Sequence, residues 1–160
     1  MAEYFRANAG IVVFNKNRQV LLCQRNDVAD SWQFPQGGID AGETPLAAAY
    51  RELAEETSLT SVVPVKTLEQ PIRYRFPPDV IAAMRQRGYN NVGQEMYWTL
   101  FYFTGDDSEI NLHTAEPEFC AYRWGSLAEA CELIVEFKKN VYRQMSAQFA
   151  PLIDTFEINK

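Results

Sequence analysis

Gly37-Gly-Ile-Asp-Ala-Gly-Glu43-Thr-Pro-Leu-Ala-Ala-Ala-Tyr-Arg51-Glu-Leu-Ala-Glu-Glu-Thr-Ser-Leu59 joins a glycine-containing loop to an acidic helical pattern. A glycine- and proline-containing loop, Phe34 to Gly42, leads into a helix predicted over Pro45–Thr57. Thr44 is a good N-cap, and Pro45 takes the first helical position, where a missing N–H costs nothing. At about 100° per residue, Leu46, Ala49, Tyr50, Leu53 and Thr57 share an arc that should pack on a sheet. Glu52, Glu55 and Glu56 share another, with Arg51 beside Glu55 at i, i+4. Like charges at these spacings destabilise a helix by roughly 0.2–0.5 kcal/mol per pair. They also sit in its last half, where the macrodipole disfavours negative charge.

A solvated acidic face is the bland reading of such a cluster. Helix stability alone, however, would place glutamates in the first turn. A divalent cation removes both penalties, because hard cations such as Mg²⁺ take carboxylate oxygens and keep several waters. A carboxylate cluster beside a glycine-containing loop suits phosphoryl chemistry: the cation screens phosphate charge, orients the bridge and lowers the pKa of a bound water.

Outward from the helix, Gly10–Phe14 and Gln19–Gln24 read as strands around the polar turn Asn15–Arg18. Further strands are expected at Val62–Leu68, Ile72–Phe76, Glu95–Phe103 and Phe119–Trp124, and helices at Leu127–Phe137 and Val141–Ile153. Strands mixed with one internal helix and two terminal ones predict an α/β sandwich. With 160 residues, 47% hydrophobic and 13% aromatic, the expectation is one domain over residues 1–160 with a sizeable core. No apolar run approaches the roughly 18 residues of a membrane span, and no secretory signal is read at the N-terminus. Cys23, Cys120 and Cys131 are odd in number and unpaired in spacing, so a reducing, cytoplasmic setting is expected rather than disulfides or zinc. The net charge of −6 argues against an extended nucleic-acid track, and no duplex partner is expected. An anionic substrate would need a few placed cations. Oligomeric state is not legible.

Gly37, Glu43, Arg51-Glu52-Leu53, Glu55-Glu56 and Leu59 resemble the Nudix box, G-x5-E-x7-R-E-U-x-E-E-x-G-U with U aliphatic. One position departs: Ser58 stands where the box has glycine, which suits the left-handed end of a helix. The resemblance extends to Arg6-Ala-Asn-Ala-Gly10, Ser31–Asp40, Gly93-Gln94, Glu109-Ile-Asn111, Pro117-Glu-Phe119, Arg123-Trp124 and Phe137-Lys138. These are similar to the subgroup of bacterial RNA pyrophosphohydrolases and plant-type diadenosine tetraphosphate hydrolases.

The resemblance implies a Nudix α/β/α sandwich with a mixed sheet, in which water attacks a phosphorus of a polyphosphate chain. It implies Mg²⁺, with Mn²⁺ as a substitute, held by Glu52, Glu55 and Glu56 and the Gly37 carbonyl. Arg51 would orient Glu52 or Glu55, and Glu43 would lie nearby. Glu118 would bind metal or act as general base, with Glu116 the runner-up. Phosphate contacts are expected from Arg6 and Lys138, and less strongly from Arg25 and Lys139. Tyr74 and Phe137 would sandwich a purine, whereas Trp32, Trp98 and Trp124 are read as core. His113 is given no role, and Asp106–Glu109 reads as a turn. The substrates implied are dinucleoside polyphosphates, 5′-triphosphate RNA ends, or both. The competing functions are a house-cleaning pyrophosphatase of oxidised nucleoside triphosphates or nucleotide sugars, and a catalytically silent RNA- or nucleotide-binding module. The retention of all the box glutamates speaks against the silent module.

Overall fold

The expected strand Gly10–Phe14 begins five residues earlier, as β1 (Phe5–Phe14), and its last seven residues are all buried. Complete burial follows from its neighbours. In the computed structural model, which describes residues 3–28 and 30–158, β1 is the central strand of an eight-stranded sheet. It pairs in parallel with β7 (Gly93–Phe103) over its whole length, from Phe5↔Gly93 to Phe14↔Tyr102. On its other side lie β2 (Val20–Arg25) and β4 (Gln36–Gly38), both antiparallel. The sheet continues from β2 to β3 (Trp32–Gln33) and β8 (Phe119–Gly125), and from β7 to β5 (Val62–Thr67) and β6 (Ile72–Arg75). One parallel pair among antiparallel ones makes the sheet mixed.

The alternation of strand side chains sorts the core into two layers. Ala9, Ile11 and Val13 of β1, with Leu21 and Cys23 of β2, join Ala48, Ala49 and Leu53 of helix α1 (Pro45–Thr57). Val12 and Phe14, with Val20, Leu22, Trp98 and Leu100, face the opposite way. There they meet α2 (Pro78–Gln86), α3 (Leu127–Leu133) and α4 (Lys139–Thr155) through Ile81, Ala130, Tyr142, Met145 and Phe149. A strand covered on both faces reads as a continuous apolar run, as Ile11–Phe14 does. The α/β/α sandwich expected from the sequence is thus the fold.

Several expectations need correcting. Helix Leu127–Phe137 ends at Leu133, because Ile134 turns extended (φ −68°, ψ 150°); a 3₁₀ turn at Glu136–Lys138 then leads into α4. Helix α2 was not expected: Ile81 is its one buried residue, and the short stripe it forms with Val80 and Met84 spans little more than one turn. The loop Phe34–Gly42 contains β4, which three pairs with β1 (Asn8↔Gly38, Ala9↔Gly37, Gly10↔Gln36) hold in place. Trp98 is fully buried as expected, whereas Trp32 and Trp124 are only half-buried. Trp124 donates its indole N–H to Asp107, at the 3₁₀ turn Asp107–Glu109 within the expected polar turn. On α1 the buried face is Ala48, Ala49, Leu53, Glu56 and Thr57, so Tyr50 lies outside it at 37% exposed, against Phe101. Glu56 has turned inward with the apolar face.

Gly10 is where two strands approach too closely for a side chain. A Cβ there would lie 2.5 Å from Trp98 Cε3, and Trp98 is its partner across the parallel ladder. Gly10→Ala is expected to cost about 1–3 kcal/mol by overpacking, each kcal/mol lowering the melting midpoint by roughly 2–4 °C. A midpoint unchanged by calorimetry would show that Trp98 can move aside without cost.

Candidate active site

Helix α1 starts and ends sharply. Thr44 Oγ1 accepts the Ala47 N–H at 3.1 Å, and Ser58 closes the helix in the left-handed region (φ 68°, ψ 8°). Between these ends the Arg51 guanidinium uses its five N–H donors on one cluster of acceptors. Nε and Nη2 fork onto Glu43 at 2.8 and 2.9 Å, and Nη2 also reaches the Gly38 carbonyl at 2.8 Å. Nη1 serves Glu52 at 2.7 Å and Glu55 at 3.3 Å. The Arg51 bonds, with the Asp40 N–H, hold the Glu43 carboxyl down to about 2. Glu43 is therefore tied to the loop–helix junction, and Glu52 and Glu55 are presented beside one another.

Glu56 has no such partner. It is 8% exposed, and its Oε2 finds no hydrogen-bond donor among the described residues. Burial, and then the charges of Glu52 and Glu118, push its carboxyl up to about 9, with the Gln36 backbone amide pulling the other way. Burial also raises Glu52, against the pull of Arg51. Beneath Glu56 the buried Cys23 thiol is pushed up by burial and by the Glu56 charge. Strand β4 packs directly on this carboxylate group: a Cβ on Gly37 would overlap the Glu52 carboxylate, and one on Gly38 the Arg6 guanidinium. A side chain at Gly37 or Gly38 would therefore displace the Glu52 carboxylate or the Arg6 guanidinium from its present place.

These groups open into a cavity of about 900 Å³. Gly37, Glu52, Glu55, Glu56, Glu118, Arg25 and Lys138 all line it, so most of the residues singled out in the sequence come together. Glu116 lines it as well. As the side chains stand, no three Asp, Glu, His or Cys groups converge on one metal-sized point among the described residues, because Arg51 draws Glu52 and Glu55 to itself. Lys138 enters from the other side, donating to Gln36 Oε1 at 3.3 Å with its Nζ 5.9 Å from the Tyr74 ring. Burial lowers its ammonium to about 8, which an anion beside it would reverse.

The two rings expected to sandwich a purine stand against each other here. The Tyr74 and Phe137 rings stack on each other at 6.0 Å, 29° apart. A base between them needs roughly 7 Å, two van der Waals contacts. Tyr74 is 8% exposed and donates its hydroxyl to Gln94, so it is core, and Phe137 alone is half-exposed. Arg25 is forked onto Asp27 at 2.9 and 2.6 Å, and Lys139 pairs with Glu136, so the charge of each is already partnered. Arg6 lies against Gly38 at the loop, outside the cavity lining. Gln33, Gln36 and Thr114 line the cavity but were given no role from sequence. The orphaned buried Oγ1 of Thr114 has no signature a sequence could show.

The chain matches the NUDIX domain family over residues 4–145. An RNA pyrophosphohydrolase of Caulobacter vibrioides is 47% identical over 148 residues, covering 90% of this chain and 85% of its own. Nudix hydrolase 26, chloroplastic, of Arabidopsis thaliana is 41% identical over 152 residues, covering 92% and 70%. Among solved structures, the E. coli dihydroneopterin triphosphate pyrophosphohydrolase is similar with a TM-score of 0.66 at 20% identity, covering 92% of this chain and 99% of that one. A C. elegans Ap4A hydrolase binary complex gives 0.61 at 21% identity, covering 90% and 98%. The structural likenesses speak for the fold alone. The family match and the two sequence relatives reach further, and the arginine-clamped glutamate helix lies inside the matched span: this chain belongs to the Nudix hydrolase family.

Proposed function

We propose that this protein hydrolyses phosphoanhydride bonds in nucleotides that carry a chain of phosphates, namely 5′-triphosphate RNA ends and dinucleoside polyphosphates, acting as one domain over residues 1–160. The observation that carries the reading is Glu56, a buried carboxylate with one oxygen unpartnered among the described residues, in a cavity shared with Glu52, Glu55, Glu116, Glu118 and Lys138. An isolated buried carboxylate is costly, and a cation is its natural complement. The all-oxygen donor set suits a hard divalent ion, Mg²⁺ with Mn²⁺ as substitute. Glu52, Glu55 and Glu56, the Gly37 carbonyl and Glu118 would hold it. When bound, such an ion screens phosphate charge and polarises the bond to be cut.

The chain's own residues supply the rest. Arg51 keeps Glu52 and Glu55 oriented, and Glu118 completes the ligand set or takes the proton from the attacking water. Lys138 meets a phosphate oxygen as a point charge, with Arg6 and Arg25 further out. Phe137 offers its half-exposed face to one base, with Tyr74 behind it. The named activity of the Caulobacter relative favours RNA ends, and that of the Ap4A hydrolase fold neighbour is compatible with the second substrate. No helix among the described residues is long and apolar enough to cross a membrane. The free Cys23, Cys120 and Cys131 support a reducing, cytoplasmic setting.

Glu52→Gln and Glu56→Gln should retain the fold and lose about two to four powers of ten in kcat/KM at saturating Mg²⁺, since several kcal/mol of charge stabilisation disappears. Near-normal turnover of E56Q would remove Glu56 from the ligand set.

Metal-free protein should also lose stability as pH rises. The folded Glu56 keeps its proton up to about 9, whereas the unfolded one releases it near 4.5. Between those values the folded state binds more protons, so stability is fullest below the lower value and is lost as pH approaches the upper, by at most about 1.4 kcal/mol per pH unit. Calorimetry in chelator across this window should show the decline. E56Q should flatten it, and added Mg²⁺ should reverse it.

Substrate recognition should be confined to the terminal nucleotide or two and the polyphosphate, because a chain of net charge −6 has little to offer a longer backbone. Incubation with Mg²⁺ and both substrates, with products separated by chromatography, should give ATP and AMP from diadenosine tetraphosphate and monophosphate ends from triphosphate RNA. Lengthening the RNA should change kcat/KM by no more than about twofold, with shallow salt dependence. Cleavage of neither substrate, with good turnover of an oxidised nucleoside triphosphate, would move the protein to the house-cleaning reading.

A further inference from the structure

Ser58 holds a left-handed backbone that strains any residue with a Cβ, and it stands where the family box has glycine. Its hydroxyl donates to the Asn111 carbonyl at 2.9 Å, and the Asn111 N–H donates to the Thr57 carbonyl, also at 2.9 Å. The Asn111 residue is therefore gripped through both its N–H and its carbonyl by the end of α1. Nearby, Glu109 accepts the N–H groups of Thr60 at 2.7 Å and Ser61 at 2.8 Å. These bonds fasten the start of the connection between β7 and β8 to the end of α1. Its far end is fastened by Asn26, whose backbone N–H donates to the Glu118 carbonyl at 3.0 Å and whose side chain donates to the Pro117 carbonyl at 2.7 Å. Between the two anchors residues 110–118 form neither helix nor strand. Thr114, Ala115, Glu116 and Glu118 from this stretch line the same cavity as Glu52 and Glu56. With no regular structure of its own, the stretch takes its path from these anchors and from Ile110 and Leu112, which pack on the core, so that beyond Leu112 only the far anchor remains.

We infer that Ser58 is a positioning residue: its hydroxyl latches Asn111 and so sets where Glu116 and Glu118 stand relative to the carboxylates of α1. This rests on the reading of Glu118 as part of the cation site. A glycine at this position relaxes the backbone and frees the latch together, so helix stability and order in the 111–116 segment move in opposite directions. An alanine keeps the strain and frees the latch as well.

Ser58→Gly and Ser58→Ala separate these effects. Both should lose roughly three- to tenfold of hydrogen-exchange protection at Asn111 in metal-free protein, the worth of one hydrogen bond. Both should need a correspondingly higher concentration of Mn²⁺ for half-saturation, read by direct titration rather than turnover. S58G should melt about 2–4 °C above S58A, since only alanine keeps the left-handed penalty. If exchange and Mn²⁺ binding follow the melting temperature, with S58A impaired and S58G normal, Ser58 is only a helix end and the inference falls. It falls too if protection drops while Mn²⁺ binding stays unchanged in both variants. Wild type that binds Mn²⁺ but cuts neither proposed substrate would overturn the proposed activity and leave the latch standing.

Discussion

The Arg51 guanidinium spends five N–H donors on Glu43, Glu52, Glu55 and the Gly38 carbonyl, and the arrangement of the site depends on that fork. Without it, glutamates at i, i+3 and i+4 would repel one another near a helix end that already disfavours them. A lysine could neutralise the same charge but could not bind Glu43 through two parallel bonds while serving Glu52 and Glu55 from a third nitrogen. Glu43 closes the loop onto the helix, and the loop in turn carries Gly37 against Glu52. A single planar cation thereby fixes the register between loop, strand β4 and helix. At 29% side-chain exposure it remains partly screened by solvent, so its role is chiefly geometric.

Glu56 is handled in the opposite way. Its neighbours on α1 are arginine-bound, whereas its charge bears on the buried Cys23 and one of its oxygens has no partner among the described residues. Two of the three box glutamates are thus hydrogen-bonded by Arg51, and the third is left to whatever enters the cavity. The stability of the empty fold and the affinity for a cation pull against each other at this one residue, as expected where a binding site departs from what folding alone would favour.

Much of this was legible in the residues because it depends on local spacing. The N-cap Thr44, Pro45 and the Arg51–Glu55 pair are read at fixed offsets on one helix, and the apolar run Ile11–Phe14 announces a strand covered on both faces. What was not legible depends on partners distant in sequence. Glu56 sits at an angle on the helix that could face solvent or core, and strand β4 with Cys23 decides it. The Tyr74–Phe137 stack joins a strand to a 3₁₀ turn, and sequence shows two aromatics without showing that they close on each other. Helix α2 shows only the short stripe of Val80, Ile81 and Met84, of which one residue is buried. Ser58 was visible as a departure from the family pattern, but its partner Asn111 lies across the fold.

The parallel pairing of β1 with β7 has a consequence for how the chain reaches this state. A parallel partner cannot be supplied by a tight turn, and the ladder from Phe5↔Gly93 to Phe14↔Tyr102 closes a loop of roughly ninety residues. During synthesis β1 must therefore wait until the ribosome has released Phe103 before its central neighbour exists. Helix α1 packs on β1 and β4, which precede it, and on β7, which follows, and Glu118 of the same cavity lies beyond β7. Contacts of such long range place this topology among the slower-folding small domains. The carboxylate site is thus complete only when the chain beyond β7 is in place, since Glu116 and Glu118 come from there.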